Sequence, residues 1–155
     1  MKTSNKKIDI ATAYHEAGHA VVEYWLFGLK RVKKVTIIPE KDTLGHCRTK
    51  MIMKSSDYET EDSPTFEGKI LREIMGLLAG HIAEKKFTKR ANSVGSSADF
   101  NNAFSLAGRL HFGWDEKTWQ YLQQYLYRRA ELLIDQKWNL IKAVAKELLK
   151  KKTLD

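Results

Sequence analysis

His15-Glu16-Ala17-Gly18-His19 places two histidines one helical turn apart with a carboxylate beside the first. At about 3.6 residues per turn the two imidazoles share one helix face, the His-Glu-x-x-His arrangement of zinc peptidases. Imidazole nitrogen suits Zn²⁺, and a catalytic zinc takes three protein ligands while keeping one position open. Glu16 is then left to act as general base, taking a proton from a water that the metal polarises and returning it to the leaving amine.

A third ligand must come from elsewhere in the chain. Glu23 lies on the same face, but two further turns separate it from His15 by about 12 Å of rise. Asp99, in Gly95-Ser96-Ser97-Ala98-Asp99, reads as the first turn of a helix entered through a serine cap, where a carboxylate is also favoured by the helix dipole. Glu84, in Gly80-His81-Ile82-Ala83-Glu84, is the rival. The residues alone leave both open.

The motif must be held by its surroundings. Ile10, Ala13, Tyr14 and Ala17, then Ala20 to Leu26, are apolar around most of a helix that Gly28 stops, so a buried central helix over about 9–26 is expected. Gly18 costs a helix interior about 1 kcal/mol relative to Ala, which points to another backbone passing closely there. Val32 to Ile38 and Leu44 to Met53 read as strands, and the second is a candidate edge for aligning a substrate. A polar loop from Lys54 to Asp62 follows. Ser63-Pro64 opens a second helix reaching about Phe87, with Gly76 and Gly80 spaced for close helix packing. A third runs from about Ser97 to Phe112-Gly113. The segment from Asp115 to Lys152 is helical in pattern, with a break expected near Asp135-Gln136-Lys137. The fold class is α+β, predominantly helical, with a small hairpin or sheet and a long helical C-terminal region. Residues 1–155 are expected to form one domain, with 1–8 flexible.

With these residues in view, the chain resembles the peptidase domain of the FtsH-type ATP-dependent zinc metalloproteases. The likeness runs in order through Tyr14 to Val22, Lys34-Val35-Thr36-Ile37-Ile38-Pro39, Leu44-Gly45, Leu77 to Glu84, Gly95 to Asp99, and the Leu132-Leu133 to Asp155 tail. It implies zinc bound by His15, His19 and Asp99, one ion per chain, with Glu16 as catalytic base. By the same likeness Asp99 is preferred to Glu84, which is expected to hold a ligand or a neighbouring helix. His81 stands where arginine is usual, and Lys85 replaces the second member of a Glu-Glu pair. Hexameric assembly is also implied.

Composition bounds the rest. The 155 residues are 43% apolar, enough for a real core. No apolar run approaches the length of a membrane span, and no Gly-x-x-x-x-Gly-Lys-Ser/Thr phosphate loop is present. The expectation is a cytoplasmic zinc metalloendopeptidase that cleaves unfolded or flexible polypeptides without its own ATP site, with a separate ATPase or an acidic protein as possible partner. Cys47, the only cysteine, excludes an internal disulfide and reads as a packed side chain. The net charge of +8 raises a basic nucleic-acid-binding module as an alternative. Scattered lysine pairs without a recognition motif argue against it. A zinc-stabilised interaction domain is the other alternative, disfavoured because a structural zinc is closed by four ligands and has no use for Glu16.

Overall fold

A computed structural model describes residues 2–40, 44–49, 64–90, 97–110 and 115–155, excluding the side chains of 2–8, 64 and 65. These residues form helices α1 (Lys2–Phe27), α2 (Pro64–Thr88), α3 (Ser97–Ala107) and α4 (Glu116–Lys151), with strands β1 (Val32–Thr36), β2 (His46–Thr49) and β3 (Thr153–Leu154). The predominantly helical α+β class holds. Among the described residues no helix is long and apolar enough to cross a membrane.

Helix α1 is the central element, packed against both α2 and α4. Its small residues Ala13, Ala17 and Ala20, with Val21 and Val22, face Ile70, Ile74, Ala79, Ile82 and Ala83 of α2 and the buried stripe of α4 within one apolar cluster. Small side chains permit close approach. A Cβ on Gly18 would lie 2.7 Å from the carbonyl oxygen of Ala79 and 2.6 Å from the Ala83 Cβ, so the close backbone expected at the motif is that of α2. The helix starts at Lys2 rather than near Asp9, since nothing from Lys2 to Ile8 is a glycine or proline that would stop it.

The sheet is antiparallel with order β2-β1-β3. Val35 pairs with Cys47 on one side and Leu154 on the other, and Thr36 pairs with His46 and Thr153. Strand β1 stops at Thr36 rather than Ile38, because the Thr36 hydroxyl accepts the Ile38 N–H at 3.1 Å and draws it away from the ladder. Strand β3 was not expected. Two residues carry no periodic signal, and they pair only because α4 returns the chain to β1. Lys152, in the left-handed region at φ 66°, ends α4, and its carbonyl accepts from Ile37 N–H at 3.0 Å.

Two expected helix limits are corrected. Helix α4 runs unbroken through Asp135-Gln136-Lys137 for 36 residues. Leu126, Ala130, Leu133, Ile134, Ile141, Ala145 and Leu148 form one continuous buried stripe across it. The polar triplet occupies less than a turn on the outer side, where Asp135 pairs with Lys86 of α2 at 2.6 Å. Without Gly or Pro a short polar run on the solvated side gives no reason to unwind. Helix α3 ends at Ala107, before Phe112-Gly113. Gly108 follows, and Arg109 and Leu110 donate to carbonyls three residues back, the tightened geometry of a closing turn. The expected loop at Lys54 to Asp62, the end of the second strand beyond Thr49, and the Ser63 cap lie outside the described residues.

Candidate metal centre

Helix α1 presents His15 and His19 toward α2, where the side-chain-free position of Gly80 makes room for them. A Cβ on Gly80 would sit 2.3 Å from His19 Nε2 and 2.7 Å from His15 Nε2, so any larger residue there would fill the space between the rings. Asp99 comes from the first turn of α3. The three converge: His15 Nε2 lies 3.1 Å from His19 Nε2, and Asp99 Oδ2 lies 3.3 Å from the first and 3.2 Å from the second.

The far side of each ring fixes what the near side can do. His19 Nδ1 is 2.9 Å from the carbonyl oxygen of Gly76, which can only accept, so Nδ1 carries the proton and Nε2 presents a lone pair. His15 Nδ1 donates in the same way to Glu84 Oε2 at 3.1 Å. With both rings neutral, two lone pairs and a carboxylate oxygen thus face one another with no donor among them, and only a proton or a metal cation can join them. Such a triangle calls for a cation. Bond lengths of 2.0–2.2 Å to a tetrahedral zinc put ligand atoms about 3.3–3.6 Å apart, so the observed edges of 3.1–3.3 Å lie close to one face of that polyhedron and need only a slight opening.

The electrostatics carry the same message without the ion. Burial opposes a charged His15, yet hydrogen bonds to Asp99 and Glu84 push its pKa up to about 10. His19 is likewise raised against the burial that would lower it, chiefly by Asp99. Burial would raise Asp99, but its bonds to the two histidines hold it well below the usual carboxylate range. The site attracts positive charge strongly enough to hold a proton that burial would expel.

Glu16 is 5% exposed, next to His15 and outside the converging trio. Burial pushes its carboxyl up, and the nearby His19 and His15 pull it partly back. The chain entering β2 crosses directly over it, since a Cβ on Gly45 would stand 3.1 Å from Glu16 Oε1. The outer edge of β2 therefore begins beside the general-base candidate.

The structure brings His15, His19, Asp99 and Glu16 together and separates Glu84 from the trio by one imidazole. Cys47 lies half-buried against the core, burial pushes its thiol far up, and it is not among the converging trio. His46 pairs across the sheet with Thr36, opposite in register to Cys47. Sequence reasoning missed three contributors. The Gly76 carbonyl was read only as a packing position. His81 packs edge-to-face against Phe100, the neighbour of Asp99, with centroids 5.1 Å apart. Arg31, which no motif singled out, is buried and pairs with Glu23 and Glu73 at 2.6 and 2.5 Å. The arrangement of Glu23 one turn beyond His19 gave a signal, but its partner followed a loop and carried none.

Comparison with known proteins bears on the same residues. The chain is 33% identical over 109 residues to the ATP-dependent zinc metalloprotease YME1L1 of Rattus norvegicus, covering 68% of this chain and 14% of that protein. It is 33% identical over 115 residues to the ATP-dependent zinc metalloprotease FtsH of Bacillus subtilis (strain 168), covering 73% of this chain and 17% of that protein. With FtsH 1 of Alkaliphilus metalliredigens (strain QYMF) it shares 29% identity over 168 residues, covering 92% of this chain and 27% of that protein. The matched stretch is thus a small fraction of each relative. A family model described as Peptidase family M41 matches residues 1–121, a span that holds both histidines, the glutamate and Asp99, and on that match the chain belongs to peptidase family M41.

Proposed function

We propose that this chain is a zinc-dependent metalloendopeptidase domain acting on unfolded or flexible polypeptides. His15 Nε2, His19 Nε2 and Asp99 Oδ2 would hold the ion. The observation that carries the reading is their triangle of acceptors, with both ring tautomers fixed outward by Gly76 and Glu84. When bound, zinc supplies Lewis-acid polarisation of the scissile carbonyl and lowers the pKa of water. Glu16 takes a proton from the attacking water and passes it to the departing amine. Burial pushes its pKa up, the direction that makes a carboxylate a stronger proton acceptor.

The edge of β2 would hold an extended substrate by main-chain hydrogen bonds, which demands a flexible chain and little side-chain identity. The printed names of the relatives describe ATP-dependent proteases. For folded substrates a coupled ATPase is therefore part of the proposal, as is the hexameric ring that the family resemblance implies. Cleavage of flexible chains needs neither nucleotide nor unfolding, and a cytoplasmic setting suits the single free thiol.

Glu16→Gln is the test. The variant is expected to fold, retain about one zinc per chain by metal analysis, and lose cleavage of casein by at least about 100-fold, the usual contribution of general acid-base catalysis. Wild type is expected to cut casein without ATP. If the two proteins behave alike on flexible substrates while both hold zinc, the enzyme reading gives way to a zinc-stabilised interaction domain.

A further inference from the structure

We infer that the Glu23–Arg31–Glu73 cluster, with Glu23 and Arg31 buried and Glu73 half-buried, positions His19, acting through Gly76; the inference rests on the metal-site reading above. Glu23 lies one turn beyond His19 on α1 and is 6% exposed. Arg31, from the turn after α1, is 5% exposed and donates through Nε to Glu23 Oε2 at 2.6 Å and through its terminal nitrogen to Glu73 Oε2 at 2.5 Å. One guanidinium therefore ties the end of α1 to α2.

The tie meets the metal site at a single residue. A Cβ on Gly76 would lie 2.2 Å from Glu23 Oε1 and 3.0 Å from its Cδ, so the carboxylate rests against the glycine's bare Cα. The carbonyl of that same glycine accepts the His19 Nδ1–H at 2.9 Å. His19 is thus fixed from one end by the α1 backbone and from the other by a carbonyl that Glu23 holds in place. A carboxylate serves because one oxygen is held by the Arg31 Nε–H while the other rests against Gly76, and the guanidinium cannot lose its proton. The phenyl ring of Phe27 under Arg31, 4.8 Å from its central carbon, limits where the guanidinium can swing. Glu23 is accordingly a positioning residue. It touches neither metal ligand atoms nor substrate, and its influence is on the direction of the Nε2 lone pair.

Zinc release to a chelator, measured by stopped flow, tests the assignment together with the visible absorption spectrum of the cobalt-substituted protein, which reports coordination geometry. Glu23→Ala is expected to release zinc at least tenfold faster than wild type and to change the cobalt spectrum, with kcat falling more than KM rises. Glu23→Gln, which keeps the shape against Gly76 and can still accept from Arg31, should recover most of the slow release. Ile141→Val, a core change in α4 remote from the site, is the control: it lowers the melting temperature and leaves release and spectrum unmoved. If both Glu23 variants lower the melting temperature but match Ile141→Val in release rate and spectrum, the cluster is structural only and the inference is wrong. Wild type that takes up neither zinc nor cobalt overturns the metal-site reading itself, a separate outcome.

Discussion

At the scale of single residues, the site separates groups that contact the metal position from groups that aim them. In the proposed site Asp99 belongs to the first kind and Glu84 to the second, so their removal should have different costs. Asp99→Ala takes away one corner of the acceptor triangle and should reduce zinc affinity by more than about 1,000-fold, whereas Glu84→Ala, which frees the His15 ring, should cost about 10- to 100-fold. Zinc titrations with a competing chelator rank the two, and the reverse order would make Glu84 the ligand. Cys47 gives a second prediction at this scale. Its burial pushes the thiol far above its ordinary value, and the thiolate is the reactive form. Iodoacetamide at pH 8 should leave it largely unmodified in the native protein and alkylate it fully in guanidinium, as mass spectrometry would show. Rapid native alkylation would mean that β2 opens readily.

At the scale of elements, the sequence displayed whatever depends on local pattern. His15 to His19 sits in a helix because apolar residues surround it, and Gly18, Gly76 and Gly80 marked the α1–α2 contact through what they lack. Asp99 was legible as a helix-start carboxylate, but its approach to two histidines some eighty positions earlier has no local trace. Choosing it over Glu84 came from family likeness. The unbroken α4 shows the opposite failure, in which local polarity at Asp135-Gln136-Lys137 outweighed the stripe that continues at Ile141. Proline discriminates the two descriptions of that segment. Gln136→Pro should destabilise the protein by about 3 kcal/mol or more, read as a drop in denaturation midpoint, because it removes a mid-helix hydrogen bond. Tolerance of proline there would restore the break. Gln136→Ala, on the exposed side, should stay within about 0.5 kcal/mol of wild type.

At the scale of the whole molecule, the apolar cluster joining α1, α2 and α4 includes none of the three proposed ligands. Stripping zinc should therefore lower the melting temperature without abolishing cooperative unfolding, unlike small zinc modules that collapse on chelation. With free zinc at about 100 times its dissociation constant the ion adds about 2.7 kcal/mol, and differential scanning calorimetry with and without chelator measures the difference. Loss of all cooperative unfolding on chelation would favour a structural zinc. The sheet carries a consequence of another kind. Thr36 meets Thr153 across 117 positions of chain, with their hydroxyls 2.9 Å apart. Contacts of such separation close late, because the intervening chain must first surrender its freedom. The helical pair α1–α2 can form while β1 still lacks its β3 partner, so the histidines can be assembled before the sheet beside them is complete. During synthesis this order would leave β1 without its β3 partner until residues 153–154 have been made, well after the two histidine-bearing turns of α1 and the facing α2 have been able to pack.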